Sequence, residues 1–165
     1  MITDKFDSST KSRWVRVLNE GETVRQIRQE NGTIKGTYVM KAPGKYKHEF
    51  RLDRTNGEGY EIMIGVVKKG VTEVSFWDKD GYVFHLTGQK CHNNKSEVYG
   101  DGQEEFTDGS ILYMTTDMDN RTVSYSTPNE DFGVCFENIP EEVVMALDIY
   151  YEHDQITLVN FEKLN

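Results

Sequence analysis

The one adjacency in this chain that could assemble a nucleophile is Cys91-His92. A reactive thiolate needs a base facing it and a third group that orients the base. Neighbouring residues on a strand face opposite ways, and no oxyanion loop or orienting residue accompanies the pair. Metal chemistry fares no better. The four histidines, His48, His85, His92 and His153, show no ligand spacing. Asp117-Met118-Asp119-Asn120-Arg121-Thr122 begins like a calcium loop. It lacks the Gly at position six and the Glu at position twelve, where Pro128 stands. Asp78-Lys79-Asp80-Gly81 fails the same test. No Gly-rich run ends in Gly-Lys-Ser/Thr, and the acids that follow Gly100-Asp101-Gly102 would repel phosphate. Cys135, between Val134 and Phe136, reads as a buried, inert thiol. The expectation is a domain with no catalytic residues, no metal and no cofactor.

The elements that would position a binding surface are strands. Tyr46 to Leu52 alternates, with Tyr46, His48, Phe50 and Leu52 on one side and Lys47, Glu49 and Arg51 on the other. Glu61 to Val67 is apolar on both sides and reads as a more central strand. Val74 to Trp77 and Tyr82 to Phe84 flank the hairpin-like Asp78 to Gly81. Ile111 to Thr116 and Thr122 to Ser126 flank a second short turn. Phe132, Val134 and Phe136 alternate, and near the end Ile156, Leu158 and Asn160 oppose Thr157, Val159 and Phe161. Turn signals such as Asn19-Glu20-Gly21, Pro43-Gly44 and Asn56-Gly57-Glu58-Gly59 recur at the spacing of sandwiches and barrels. Pro140-Glu141-Glu142 resembles the first turn of a helix. The β-branched Val143-Val144 favours a strand, and the two readings stay open.

At 165 residues the chain has the length of one domain. It carries 19 Lys+Arg against 28 Asp+Glu, a net charge of -9, which argues against general binding of a phosphate backbone. No apolar run reaches the length of a membrane span, and Met1 to Lys11 lacks the apolar stretch of a signal peptide. Two reduced cysteines and an intracellular, cytoplasmic location are expected on that basis. The sequons at Asn31, Asn94 and Asn120 read as turn residues. A monomer is expected, with neither nucleic acid nor membrane as partner.

From Gly81 to Phe161 the order of motifs resembles a SPRY domain. The carriers are His92-Asn93-Asn94-Lys95-Ser96-Glu97-Val98-Tyr99-Gly100, the strand ending in Asp117-Met118-Asp119, and Thr122-Val123-Ser124-Tyr125-Ser126. Gly133-Val134-Cys135-Phe136 and the closing strand Gln155 to Phe161 follow. Lys45 to Phe50 and Glu61 to Val67, with Gly65, resemble earlier strands of the family. Departures are Gly109-Ser110 for Gly-Asp, Tyr113 for a strand Gly, and Pro128-Asn129 for Asn-Gly. Proline excludes a type I′ turn there and suits type I or type II. The resemblance implies an all-β fold, a concanavalin-like jelly-roll sandwich of two antiparallel sheets. About a dozen strands and little helix are expected. Residues 21–165 would form the domain, with 1–20 an N-terminal extension or first strand.

The resemblance also implies a non-catalytic protein–protein interaction module. It would bind a protein or short linear peptide through loops at one end of the sandwich, as a substrate receptor of a ubiquitin ligase or a scaffold. Matching motif by motif places Arg25 at the family's pocket Arg, with Ile27 beside it. Cys91 takes the middle position, usually Tyr, and Tyr150 and Tyr151 the late aromatic one. Arg with exposed aromatics is also the usual composition of interface hot spots. The plain alternative is that Tyr150 is core, Tyr151 a solvent-facing strand residue and Arg25 a surface charge. A lectin-like carbohydrate-binding sandwich, with Trp14, Trp77 and the tyrosines stacking on sugars, is the rival function. A jelly-roll hydrolase ranks last, because the acids are too scattered to select a facing pair.

Overall fold

The computed structural model describes residues 2–55, 61–72, 80–100 and 105–164. Fifteen strands lie among them. In chain order they are β1 (Phe6–Asp7), β2 (Val15–Leu18), β3 (Thr23–Gln26), β4 (Gly32–Gly36), β5 (Met40–Lys41), β6 (Lys45–Arg54), β7 (Met63–Lys68) and β8 (Tyr82–His85). There follow β9 (Gln89–His92), β10 (Lys95–Val98), β11 (Ile111–Asp117), β12 (Thr122–Ser126), β13 (Asp131–Phe136), β14 (Glu142–Ile149) and β15 (Gln155–Leu164). Two antiparallel sheets pack face to face. One runs β1-β4-β14-β7-β8-β9-β10, with β5 also on β14, and the other runs β13-β12-β11-β6-β15-β3-β2. The described helical structure is two short 3-10 turns, Ser8–Thr10 and Asn19–Gly21. None of the described helices is long and apolar enough to cross a membrane.

The period-two reading of β6 holds: Tyr46, His48, Phe50 and Leu52 are buried, and the residues between them face outward. Ile111–Asp117 and Thr122–Ser126 pair as the expected hairpin. Glu61 to Val67 supplies β7, which lies between β14 and β8 and is buried on both faces. Its Gly65 is required by a close approach, since a Cβ there would stand 1.8 Å from the Tyr82 carbonyl oxygen. The ambiguous segment after Pro140 is a strand, β14, paired with β4, β5 and β7. Its run of buried residues is what a strand covered on both faces needs.

Two alternations break at bulges. In β15 the register against β6 shifts between Leu158 and Asn160, so Phe161, not Asn160, follows Leu158 toward the interior. Phe161 lies 4.4 Å from the His48 ring, centroid to centroid, while Val159 is exposed. In β13 the register also shifts, and Gly133 takes a φ of 81°. Phe132 and Phe136 still pack on the core, but Val134 between them is 53% exposed. At the Pro128-Asn129 turn Asn129 keeps a negative φ, which removes type II and leaves type I. The segment expected at Val74 to Trp77, the residues Asp78-Lys79 of its hairpin, and the turns at Asn56 to Gly59 and Asp101-Gly102 lie outside the described residues.

The main core fills the space between the sheets. Tyr125 crosses it, donating its hydroxyl to the Ile64 carbonyl oxygen at 2.7 Å. The first twenty residues contribute to both sheets: β1 pairs with β4 in one, and β2 pairs with β3 in the other. What holds this segment is Asp4. Its Oδ1 accepts the backbone N–H groups of Lys5, Thr37 and Tyr38 at 2.9 to 3.0 Å. Its Oδ2 lies 2.7 Å from His48 Nε2, and both side chains are fully buried. Removing one partner of a buried, hydrogen-bonded pair strands the other. Asp4→Ala is therefore expected to cost about 3–5 kcal/mol of stability, measured by urea denaturation followed through tryptophan fluorescence.

Candidate functional site

The β14–β15 connection is fastened onto β3. His153 N–H donates to the Gln26 carbonyl at 2.7 Å, and Gln26 N–H donates to the Asp154 carbonyl at 2.9 Å. The turn is closed on itself. Asp154 N–H reaches the Tyr151 carbonyl at 3.0 Å, and the Asp154 carboxylate accepts Tyr151 N–H at 3.2 Å. Glu30 N–H donates to the Tyr150 carbonyl, which ties the far side of the turn to the approach to β4. Tyr150 and Tyr151 are both half-buried, edge to face with ring centroids 5.0 Å apart.

Beside this turn the outer face of β2 and β3 forms a shallow groove of about 270 Å³ lined by Arg16, Leu18, Arg25, Ile27 and His153. Arg16 and Arg25 are direct cross-strand neighbours. Arg25 Nη2 lies 3.2 Å from His153 Nδ1. A guanidinium only donates, so this nitrogen of His153 accepts and the ring proton sits on Nε2. At the upper edge Ile27 N–H donates to the Trp14 carbonyl at 3.0 Å. The guanidinium carbons of Arg13 and Arg28 lie 4.7 and 5.0 Å from the Trp14 ring centre.

Arg25 and Ile27 thus line one groove, and Tyr150 and Tyr151 lie on the turn fastened to its strand. Arg25 sits on strand β3 rather than on a loop. Cys91 is elsewhere. It is on β9, toward the opposite edge of the other sheet, buried with Met63 and Val83. Arg16, Leu18 and His153 are groove residues that motif matching did not mark. One signal for the basic face was present: Arg13, Arg16, Arg25 and Arg28 are four of the seven arginines of an acidic chain.

The Cys91-His92 pair does not form a nucleophile. Burial raises the Cys91 pKa, only partly offset by the hydrogen bond to Ser96. His92 stacks on Tyr82 at 3.9 Å and lies with Nδ1 2.9 Å from the Gly81 carbonyl oxygen. Burial pushes the Cys135 thiol well above its ordinary value. The Asp117 carboxylate is engaged within its own turn by Asp119 and Asn120, as a hairpin requires. Among the described residues no group of three His, Cys, Asp or Glu side chains could hold a metal ion.

Two measurements follow. Both thiols are free and buried, so alkylation at about pH 8 should be slow in the native protein and reach both cysteines on unfolding. Asp53 lies on the outer face between Arg51 and Thr157. Burial works to raise its pKa, but hydrogen bonds from Thr157, Gln155 and Arg51 outweigh this and hold it below 3.8. Its contribution is fully present above that ordinary value and is lost as pH falls through the lowered native one. The stability gap between the wild-type chain and Asp53→Asn, read from urea midpoints, should therefore shrink between about pH 5 and pH 2.

The fold is shared with known proteins. The crystal structure of the SPRY domain of human HERC1 superposes with a TM-score of 0.77 at 19% identity, covering 92% of this chain and 95% of that one. The TRIM65 PSpry domain gives 0.71 at 14% identity, covering 95% and 92%. Among curated relatives, Ran-binding protein 9 of Danio rerio is 24% identical over 117 residues, 68% of this chain and 19% of that protein. The ATP-dependent RNA helicase DDX1 of Xenopus laevis is 38% identical over 60 residues, 36% of this chain and 8% of the helicase. The chain therefore spans less than a fifth of the length of these relatives. The SPRY domain family model matches residues 45–158, more than half of the chain. Two antiparallel sheets in a sandwich and this match lead to one assignment: the chain belongs to the SPRY domain family.

Proposed function

We propose that this chain is a non-catalytic recognition module that seats an extended peptide or protein surface in the groove of Arg16, Leu18, Arg25, Ile27 and His153, beside the turn that carries Tyr150 and Tyr151 and is fastened to β3. SPRY domains are generally protein–protein interaction modules, and the groove is what supports that role here. It combines the ingredients of an interface anchor: guanidinium donors for backbone carbonyls or carboxylates, aliphatic walls for a side chain, and aromatic rings on a turn held by hydrogen bonds. Such a preset turn loses little freedom on binding. The role of substrate receptor in a ubiquitin ligase, or of scaffold, follows from this reading as a proposal about the protein that carries the domain.

The test is paired. Arg25→Ala and Tyr151→Ala should each weaken capture of the partner, identified by pull-down from native lysate and mass spectrometry. The expected loss is about 2 kcal/mol, roughly thirtyfold in affinity. Both side chains are only partly buried, so thermal melts should move by no more than about 0.5 kcal/mol. Folded variants that keep full partner binding would remove the groove from the interface. Specific signal on a glycan array, lost in the same variants, would favour the carbohydrate-binding reading instead.

A further inference from the structure

The groove has a charge arrangement that stability alone does not explain. Arg16 and Arg25 face each other directly across an antiparallel pair, and like charges in that position repel. The row continues over the sheet: Arg25 is registered with Gln155, and Gln155 with Arg54. None of Arg13, Arg16, Arg25, Arg28 or Arg54 takes part in an ion pair among the described residues, whereas Arg51 is paired with Asp53. Asp53 is already committed to Arg51, Gln155 and Thr157. The nearby Glu152 lies 3.7 Å from His153 Nε2, on the far side of the ring from Arg25. His153 in turn offers Nδ1 to Arg25 and so holds that guanidinium at the groove. Arg16 and Arg25 line the groove and Arg13 and Arg28 lie near the Trp14 ring, in a chain whose net charge is -9.

We infer that the Arg16–Arg25 pair is a carboxylate-binding site, and that the groove selects an acidic linear peptide in which Asp or Glu adjoins an aliphatic residue. This rests on the reading of the groove as a peptide site and adds its chemistry. Guanidinium donors match a carboxylate in planar, two-pronged geometry. A carboxylate between the two arginines would turn their repulsion into two attractions. Leu18 and Ile27 supply the adjoining apolar wall. The overall charge narrows the source. A long polyanion such as nucleic acid or an anionic bilayer meets the repulsion of the whole molecule, whereas a short acidic segment meets only the local patch.

The experiment uses fluorescein-labelled, C-terminally amidated peptide pools and the purified full chain, with binding read by fluorescence anisotropy. One pool alternates Asp or Glu with Leu, Ile or Val. A matched pool carries Asn or Gln at the acidic positions, and a third has the neutral sequence with a free C-terminal carboxylate. The acidic pool is expected to bind at least roughly tenfold more tightly than the neutral one, with the margin shrinking as salt is raised. Arg16→Gln and Arg25→Gln should each abolish most of that preference. Because either substitution relieves like-charge opposition, melting temperature should hold or rise. A preference retained in both variants would overturn the site, as would tighter binding to anionic vesicles than to the acidic pool. A preference confined to the third pool would place the carboxylate at a chain end and overturn the side-chain specificity. Equal binding of acidic and neutral pools, lost in Tyr151→Ala, would overturn the carboxylate site and leave the peptide groove standing. Binding by neither pool would overturn both.

Discussion

The buried carboxylate of Asp4 is the constraint on which the placement of the N-terminal segment depends. Three backbone N–H groups and His48 converge on its two oxygens. A buried polar group in a sandwich interior is tolerated when its lone pairs are used in this way. His48 belongs to β6, at the centre of one sheet, where it lies parallel to the Phe50 ring and packs tilted against Phe161. Thr37 and Tyr38 follow β4 in the other sheet. Asp4 is thus bonded to groups from both layers, and the residues after it are led along the same edge. Their path adds β1 to one sheet and β2 to the other. Since β2 carries Arg16 and follows Trp14, the clasp also decides where half of the groove lies. A short N-terminal segment that makes only two brief strands is thus held by a polar cluster together with the burial of Phe6 and Val15 in the core.

The two alternating readings that failed show where local sequence loses its hold. In β6 each inward residue is large and apolar or aromatic, so the pattern and the register agree. In β15 strict alternation would have sent Asn160 inward and Phe161 out. The bulge at Val159 avoids burying an amide and gives Phe161 to the cluster around His48, Tyr46 and Tyr38. That gain comes from residues more than a hundred positions away, so nothing within the strand announces it. The Pro140 segment was undecidable for a similar reason. Its acidic opening suits a helix, and only burial of β14 on both faces, by partners distant in sequence, selects the strand. The Asp4–His48 pair, with 44 positions between its members, left no signature at all.

Among the proposed groove residues, Arg25, Ile27 and the two tyrosines were marked by motif order, the first two on and just after β3 and the tyrosines just before the closing strand. Which sheet edge a strand occupies was not readable. Cys91 matched a position in order, yet β9 lies near the edge away from β2 and β3, and a buried thiol there packs on Met63 and Val83. Arg16 and His153 carried no motif. They enter the groove through pairing of β2 with β3 and through the backbone bonds that fasten the last turn, both of which are tertiary facts.

The two outer sheet faces differ in how their residues are buried. The sheet containing β14 and β7 is covered on both sides along its middle. Val67, Val144 and Ala146 form one outer cluster and Met63, Val83 and Cys91 another. A surface already closed by its own chain has little left to offer a partner. The opposite sheet presents an alternating polar face: Arg16, Arg25, Gln155, Thr157, Asp53 and Arg51 lie along adjoining strands. On β6 one charge pair is closed within the fold, Arg51 with Asp53, whose carboxylate also accepts hydrogen bonds from Thr157 and Gln155. On β2 and β3, Arg16 and Arg25 have no such carboxylate partner among the described residues. These residues, at the edge formed by β2 and the fastened turn, keep their donors turned outward. Folding therefore leaves the Arg16–Arg25 pair without an internal counter-charge among the described residues, and the proposed carboxylate would supply one.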